Sequence, residues 1–236
     1  MAERHIVAMG GGGFSMESRN TRLDDFALSL ARRKRRPRVC FVGTATGDSD
    51  SYIRRFHEAF PPSRAAATHL TFFERKVSDL KKFVMEQDVI YVGGGNTRNM
   101  LALWRLWGLD AVFREAHERG ILLCGVSAGS ICWFQEGVTD SWAGDLRPLE
   151  CLGFLEGSNC PHYDGEPGRR PTYQRLVSSG AMRPGYAADD GVALHYRDGS
   201  LHMVVGAKPE AKAYRVERVD GVAIETVIHP TYLSNP

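Results

Sequence analysis

The stretch Ile121–Gly129, ILLCGVSAG, carries the strongest structural signal in this chain of 236 residues. Its first four residues are apolar and lie between glycines, which is typical of a buried central strand of a parallel sheet. The pattern Gly-x-Ser-x-Gly follows at once, and residues 130–134 are compatible with a helix. A strand, a sharp turn and a helix in this order predict an elbow that lifts the Ser127 hydroxyl above the edge of the sheet.

Short apolar runs alternate with amphipathic stretches through the first half of the chain, which is typical of β-α units around a mostly parallel sheet. We predict further strands at 6–9, 38–42, 70–73 and 89–92, and helices at 21–31, 52–60, 97–107 and 111–119. After about residue 184 short apolar runs separated by Asp-Gly turns predict antiparallel hairpins. The expected fold class is α/β, with one domain over residues 1–236.

Composition and charge argue against several classes of function. The chain has 30 Lys and Arg against 28 Asp and Glu, a net charge of +2, which gives no large electrostatic footprint for nucleic acid. The basic run Arg32–Arg36 has no interleaved aromatic residues, so we interpret it as solvated charge. The sequence has no apolar run long enough for a membrane span. Five scattered cysteines without a Cys-x-x-Cys pair favour a reducing cytoplasm and predict neither a disulfide framework nor a metal site.

A second glycine-rich stretch, Val92–Thr97 (VGGGNT), follows another predicted strand. Ligands of open α/β sheets bind beyond the carboxyl ends of the strands, so this loop and the elbow are expected to meet there. Because a glycine N–H approaches a carbonyl closely, Gly95 and Ala128 are our candidates for the two N–H donors of an oxyanion hole. A nucleotide-binding loop fits less well, because the Walker lysine and the Gly-x-Gly-x-x-Gly fingerprint are both missing.

A nucleophilic serine needs a base, and eight histidines compete for this role. His162 stands out, because it lies in a polar loop at 159–166 that lacks strand or helix periodicity, within the irregular segment 137–184. A loop imidazole is free to reach across to the elbow. The pattern leaves the carboxylate that would orient this imidazole open among four residues, Asp140, Asp164, Asp189 and Asp190.

Four motifs together resemble the peptidase E family, which comprises aspartyl dipeptidases and their cyanophycinase relatives. They are the glycine loop 93–97, the elbow 125–129, the pair Pro161-His162 and the step Asp190-Gly191. The resemblance covers nearly the whole chain and is greatest to the "peptidase E-like" branch. It implies a sandwich like that of flavodoxin and class I glutamine amidotransferases, with a mostly parallel central sheet. It also implies a serine peptidase with a Ser-His-Glu or Ser-His-Asp triad.

The resemblance assigns Ser127 as the nucleophile and His162 as the general base. The glutamate of the family falls on Asp190, and Asp140 is the alternative carboxylate. Thr172 stands where aspartyl dipeptidases are expected to have an arginine for the Asp side chain of the substrate. Arg169, Arg170 or Arg175 could take the place of that arginine, since a bidentate guanidinium suits a carboxylate. Our candidates for substrate contacts are Asn96, Asn159, Arg169 and Arg170.

The sequence therefore predicts a cytoplasmic serine peptidase that cleaves short peptides in the manner of a dipeptidase, with Asp-X as one candidate specificity. We expect no cofactor and no metal, and neither nucleic acid nor a membrane as partner; a homodimer stays open. Two alternatives also stay open, a non-peptidase hydrolase of the amidotransferase-like type and a small-molecule binding module of the same fold. Such amidotransferases place a cysteine at the elbow, where this chain has Ser127.

Overall fold

The structure is a computed structural model that describes residues 3–234, and its first half alternates strands with helices. The strands are β1 (His5–Met9), β2 (Arg38–Val42), β3 (Ala66–Leu70), β4 (Val89–Val92) and β5 (Leu122–Val126). The helices are α1 (Arg22–Leu30), α2 (Asp50–Ala59), α3 (Leu80–Met85), α4 (Thr97–Leu106) and α5 (Leu109–Glu118). Short 3-10 turns follow β1 and β2, at Gly13–Ser15 and Thr44–Thr46.

The second half consists mainly of strands. Its elements are α6 (Ala128–Ile131), β6 (Phe134–Thr139), β7 (Arg147–Glu150), β8 (Leu155–Cys160), α7 (Arg169–Ser178), β9 (Gly185–Ala188), β10 (Val192–Arg197), β11 (Ser200–Gly206), β12 (Ala213–Val219), β13 (Val222–Ile228) and β14 (Thr231–Tyr232).

The main sheet has eight strands in the order β14-β11-β10-β1-β5-β4-β2-β3. The five neighbouring strands β1-β5-β4-β2-β3 pair in parallel, whereas β10 pairs antiparallel with both β1 and β11. This arrangement confirms the α/β class, the mostly parallel central sheet and the antiparallel hairpins near the C-terminus. It also brings the ends of β1 and β5 beside the beginning of β10.

Apolar layers cover both faces of the main sheet. Residues of β1 alternate between them, since Ile6 and Ala8 belong to one buried cluster and Val7 and Met9 to the other. Alternation follows from the period of two in a strand, and burial on both faces explains why the central strands are continuous apolar runs. The largest buried side chains include Trp104, Trp133, Phe41 and Phe56.

A six-stranded second sheet, in the order β13-β12-β9-β8-β6-β7, is the main departure from the expected fold. Much of the segment 137–184 forms strands β6, β7 and β8 and helix α7 rather than long loops, and the β12–β13 hairpin joins this sheet. The helix after the elbow has only one turn, and Phe134 already begins β6. Ala188 and Ala213 of the second sheet share a core cluster with Ile6, so the two sheets pack on common apolar contacts.

The edge strand β3 lies at 66–70, several residues before the predicted 70–73. Its residues are only partly buried except for Leu70, so its apolar signal is weak. Parallel pairing with β2, from Arg38 opposite Ala66 to Val42 opposite Leu70, defines the strand instead. In the described residues, the helices are all too short or too polar to cross a membrane.

The buried histidine of α5 contributes to the pH dependence of stability. His117 on α5 is 8% exposed and stacks on Phe154, with ring centroids 6.1 Å apart and Nδ1 unpaired among the described side chains. Burial lowers the pKa of His117 to about 4. Because this pKa is below the value of about 6.5 for an unfolded histidine, stability is lost as pH falls from 6.5 toward 4.

Between pH 7 and pH 5 the free energy of unfolding is expected to fall by about 2 kcal/mol less in His117→Phe than in the wild type. Urea unfolding at the two pH values measures this difference. Burial raises the pKa of Asp24 and of Asp189 to about 6, so these two carboxyl groups increase the free energy of unfolding as pH falls from 7 to 5. They do so in the wild type and in His117→Phe alike, and the difference between the two proteins therefore reports on His117. His229 is exposed, so His229→Phe is the control. Equal pH dependence of stability in the wild type, His117→Phe and His229→Phe would refute the role of His117.

Candidate active site

The turn at Ser127 is a sharp elbow between β5 and α6. Ser127 has φ 57° and ψ −111°, a conformation that L-residues rarely adopt. Both flanking glycines are required because β4 lies against the elbow: a Cβ at Gly125 would stand 2.5 Å from the Val92 carbonyl oxygen, and one at Gly129 2.2 Å from it. The backbone N–H of Ser127 donates to the Met9 carbonyl at 3.2 Å. The elbow is thus fixed by the strands on either side of β5.

The single turn of α6 leaves a backbone donor beside the serine. The Ser127 carbonyl accepts the N–H groups of Ser130 and Ile131, both at 2.9 Å. Among the described residues, the Ala128 N–H has no hydrogen-bond partner. An unpaired N–H at the start of a helix is suited to stabilise negative charge on an oxygen bound at Ser127.

The glycine loop after β4 packs directly against the elbow. A Cβ placed on Gly94 would lie 3.2 Å from Cβ and 3.8 Å from Oγ of Ser127. The next residue, Gly95, has φ +131° and is exposed. Within residues 3–234 its N–H has no partner either. The two predicted oxyanion donors therefore both carry unpaired N–H groups among the described residues, one directly after the serine and one in the loop that packs against it.

His162 is attached to the same end of β1 as the elbow. Its backbone N–H donates to the Gly10 carbonyl at 3.1 Å, one residue beyond the Met9 carbonyl that holds Ser127. The imidazole Nδ1 lies 2.6 Å from Oδ1 of Asp190, and the two side chains are 12% and 15% exposed. A carboxylate on Nδ1 leaves Nε2 as the nitrogen that can accept a proton.

Within the described part of the chain, no hydrogen bond joins the Ser127 hydroxyl to the His162 imidazole. Catalytic hydrogen bonds of substrate-free enzymes are often long and tighten in the complex with substrate. The structure does bring His162 and Asp190 together. This pair is linked to the serine because the Met9 carbonyl accepts the Ser127 N–H and the next carbonyl, of Gly10, accepts the His162 N–H.

Two glycines make room for Asp190. A Cβ at Gly11 would stand 1.9 Å from Oδ1 of Asp190 and 2.9 Å from Nδ1 of His162, and a Cβ at Gly165 would stand 2.4 Å from Oδ2 of Asp190. The Asp190 N–H donates to Oδ1 of Asp164 at 2.8 Å, which fixes its backbone. No role was predicted for Gly11 or Gly165, although the run Gly10–Gly13 at the end of β1 is visible in the sequence.

Of the four candidate aspartates, Asp190 is the one that contacts His162. The side chain of Asp140 is 67% exposed, and its nearest cation is Arg169, 3.8 Å away. Asp189 is buried and accepts a backbone N–H at 2.8 Å, and burial raises its pKa to about 6. The geometry therefore favours Asp190 over Asp140 as the partner of the imidazole.

Neither asparagine candidate is free to bind a substrate. Asn96 caps α4, since its Oδ1 accepts the Asn99 N–H at 2.9 Å and its Nδ2 donates to the Ser141 carbonyl at 3.2 Å. Asn159 is fully buried and is bonded to the Ser130 hydroxyl and the Tyr186 carbonyl. The prediction that Asn159 contacts substrate is wrong, because its amide joins β8 to β9 and to the elbow helix.

Arg169 is likewise a structural residue, which corrects its assignment as a substrate contact. It is 3% exposed, and it donates to Glu166 at 2.7 Å and to the Val138 carbonyl at 2.9 Å.

Arg170 is about half-exposed but already has a partner. It forms an ion pair with Glu225, and its guanidinium lies 4.9 Å from the centroid of the Tyr214 ring. Both guanidinium groups are therefore neutralised by glutamates of this chain.

The five cysteines are free, and their thiols are poor nucleophiles. Burial raises the pKa of Cys40, Cys151 and Cys160 to about 12, and it also raises the pKa of Cys124 and Cys132. Such thiols stay protonated near neutral pH, and a protonated thiol does not attack a carbonyl. Across residues 3–234 we find no group of three or more His, Cys, Asp or Glu placed to hold a metal ion.

The sequence profile of Peptidase family S51 matches residues 6–204, which include the glycine loop, the elbow, His162 and Asp190. The chain belongs to peptidase family S51. It is 53% identical over 230 residues to the uncharacterized peptidase YgaJ of Bacillus subtilis (strain 168), an alignment that covers 98% of this chain and 99% of the relative. It is 26% identical over 187 residues to a protein named peptidase E from Streptomyces coelicolor, with 75% and 74% of the two chains covered.

The fold of this chain is similar to that of a solved structure. A crystal structure of a peptidase from an acI-B1 Actinobacterium superimposes with a TM-score of 0.72 at 18% identity, over 96% of this chain and 94% of the other. At this identity the likeness shows the fold alone. Membership of S51 and the named relatives confirm the resemblance to the peptidase E family and make this protein a peptidase by family.

Proposed function

We propose that this S51 member is a serine peptidase that hydrolyses short peptides through an acyl-enzyme on Ser127. The observation that carries the proposal is the hydrogen bond of His162 to Asp190, on an imidazole whose backbone is held beside the elbow at the end of β1. The resemblance to aspartyl dipeptidases favours short peptides as substrates.

In the proposed reaction the Ser127 hydroxyl attacks the peptide carbonyl while Nε2 of His162 takes its proton. The N–H groups of Gly95 and Ala128 hold the oxyanion of the tetrahedral intermediate. The imidazolium then protonates the leaving amine, and a water molecule, deprotonated by the same imidazole, hydrolyses the acyl-enzyme. Asp190 keeps the Nδ1–H of His162 oriented and stabilises the imidazolium throughout.

The shorter carboxylate at position 190 fits this mechanism. The peptidase E resemblance implies a glutamate there, which has one more methylene group than Asp190. The Cβ-free backbones of Gly11 and Gly165 let the surrounding loops close around the shorter side chain. The hydrogen bond of 2.6 Å to His162 is then made without the additional reach.

The state of Arg169 and Arg170 bears on the preference for the first residue of the substrate. Because Arg169 and Arg170 are paired with Glu166 and Glu225, neither offers an unpaired cation to a substrate carboxylate. We expect Ala-Leu and Gly-Leu to be hydrolysed with kcat/KM at least equal to that of Asp-Leu. A panel of these dipeptides and one hexapeptide measures the preference, and Ser127→Ala is the blank.

A kcat/KM for Asp-Leu tenfold or more above that for Ala-Leu would refute the neutral preference while leaving the serine mechanism intact. Faster cleavage of the hexapeptide than of every dipeptide would refute the assignment to short peptides.

A further inference from the structure

The hydroxyl of Tyr52 is bonded to the loop that carries Gly95. Tyr52 lies on α2 and is 5% exposed, and its hydroxyl oxygen accepts the Gly94 N–H at 3.2 Å. Its ring is fixed by packing, since it stands edge-on to Phe41 at 4.9 Å and a Cβ at Gly93 would lie 2.8 Å from its Cε1. An immobile aromatic ring holds its hydroxyl at a defined point.

The hydrogen bonds on either side of Gly95 point its N–H away from the protein interior. The preceding N–H, of Gly94, is bonded to Tyr52, and the following N–H, of Asn96, donates to the Ala45 carbonyl at 2.8 Å. The Gly95 N–H between them is the one left without a partner among the described residues. The bonds of Gly94 and Asn96 therefore fix the peptide groups on either side of the one that carries the Gly95 N–H.

We propose that Tyr52 is a positioning residue that orients the Gly95 N–H toward the oxyanion formed at Ser127. The proposal rests on the serine peptidase function proposed above. Tyr52 acts through the Gly94 peptide group rather than by touching the substrate. Since the oxyanion exists only in the reaction, misplacement of its donor lowers kcat more than it changes KM.

Tyr52→Phe keeps the packed ring and removes the oxygen that accepts the Gly94 N–H. We expect kcat to fall about 10- to 100-fold, because displacement of a donor costs less than the roughly 10²–10³ lost when a donor is removed. KM is expected to stay within about twofold of the wild type. The matched control is Tyr173→Phe, which loses a buried hydroxyl bonded to Ser158 at 2.7 Å in the second sheet.

A fluorophosphonate reports on the same step without any knowledge of the substrate. The Ser127 oxygen forms a bond to phosphorus, the proton passes to His162 and fluoride leaves. We expect Tyr52→Phe to label at least tenfold more slowly than the wild type and Tyr173→Phe to label at the wild-type rate, with similar thermal midpoints for the two variants. A wild-type rate in Tyr52→Phe, or an equal loss in Tyr173→Phe, would overturn the proposal.

Hydrogen exchange of the wild-type protein tests the proposal even if Tyr52→Phe fails to fold. We expect slow exchange at Gly94 and Asn96 and fast exchange at Gly95. Fast exchange at Gly94 would show that Tyr52 does not hold the loop. A wild-type protein that fails to label at Ser127 would instead refute the serine peptidase function, and the role of Tyr52 with it.

Discussion

Ser127→Ala is expected to lower kcat for dipeptides by about 10⁵- to 10⁶-fold, which is the scale of loss when a catalytic serine is removed. The change removes the attacking oxygen and keeps a Cβ, so the backbone at φ 57° experiences no new strain. The Ser127 hydroxyl has no hydrogen-bond partner among the described residues, so we expect the free energy of unfolding to stay close to the wild-type value. Amine release from Ala-Leu and urea unfolding measure the two quantities.

The neighbouring serine provides a matched control. Ser130 is fully buried and donates to Asn159 at 2.9 Å, so Ser130→Ala is expected to lose about 1 kcal/mol of stability. Its kcat should stay within about tenfold of the wild type, since this hydroxyl is bonded to Asn159 of β8. Turnover that survives Ser127→Ala would remove the nucleophile assignment, whatever Ser130→Ala does.

Asp190→Asn is expected to lower kcat by about 10⁴-fold, whereas Asp140→Asn should change it by less than about tenfold. An amide at position 190 keeps the size of the side chain but offers Nδ2 as a donor to Nδ1 of His162. The imidazole then carries its proton on Nε2, which is the tautomer that cannot accept the serine proton. Parallel kcat measurements on the two variants test this, since Asp140 is exposed and Asp190 is bonded to His162.

A larger loss in Asp140→Asn than in Asp190→Asn would transfer the carboxylate role to Asp140. Asp190→Glu, which introduces the family residue, is a further control. The loops around Asp190 are closed over a short side chain at Gly11 and Gly165, so we expect the longer glutamate to be less active than the aspartate.

The parallel half of the main sheet was predictable from the sequence because its strands are buried on both faces. Runs such as Val89–Val92 and Leu122–Val126 are almost entirely apolar. Glycines accompany both runs where neighbouring strands come close, since a Cβ at Gly93 would lie 3.0 Å from Phe41 of β2 and one at Gly125 would lie 2.5 Å from the Val92 carbonyl oxygen of β4. The second sheet was not predictable, because β8 carries Gly157, Ser158 and Asn159, which lack a strand pattern. Their place in a strand depends on hydrogen bonds to residues far along the chain, such as the bond from Asn159 to Tyr186.

In the candidate site, the sequence indicated the residues His162 and Asp190 but not the contacts around them. His162 and Asp190 were identified by loop position and by the family motif, and they are hydrogen-bonded in the structure. The fates of Asn159 and Arg169 could not be read from the sequence, because a polar side chain in an irregular segment has the same pattern whether it faces a substrate or a buried partner. The bond of Tyr52 to the glycine loop is also invisible in sequence, since 42 residues separate it from Gly94.

Mass spectrometry of the protein after treatment with a fluorophosphonate tests the central claim most directly. We predict one phosphonyl adduct, located on the peptide that contains Ser127, no adduct in Ser127→Ala, and strongly slowed labelling in His162→Ala. An unmodified wild-type protein, or an adduct on a different residue, would contradict the serine nucleophile.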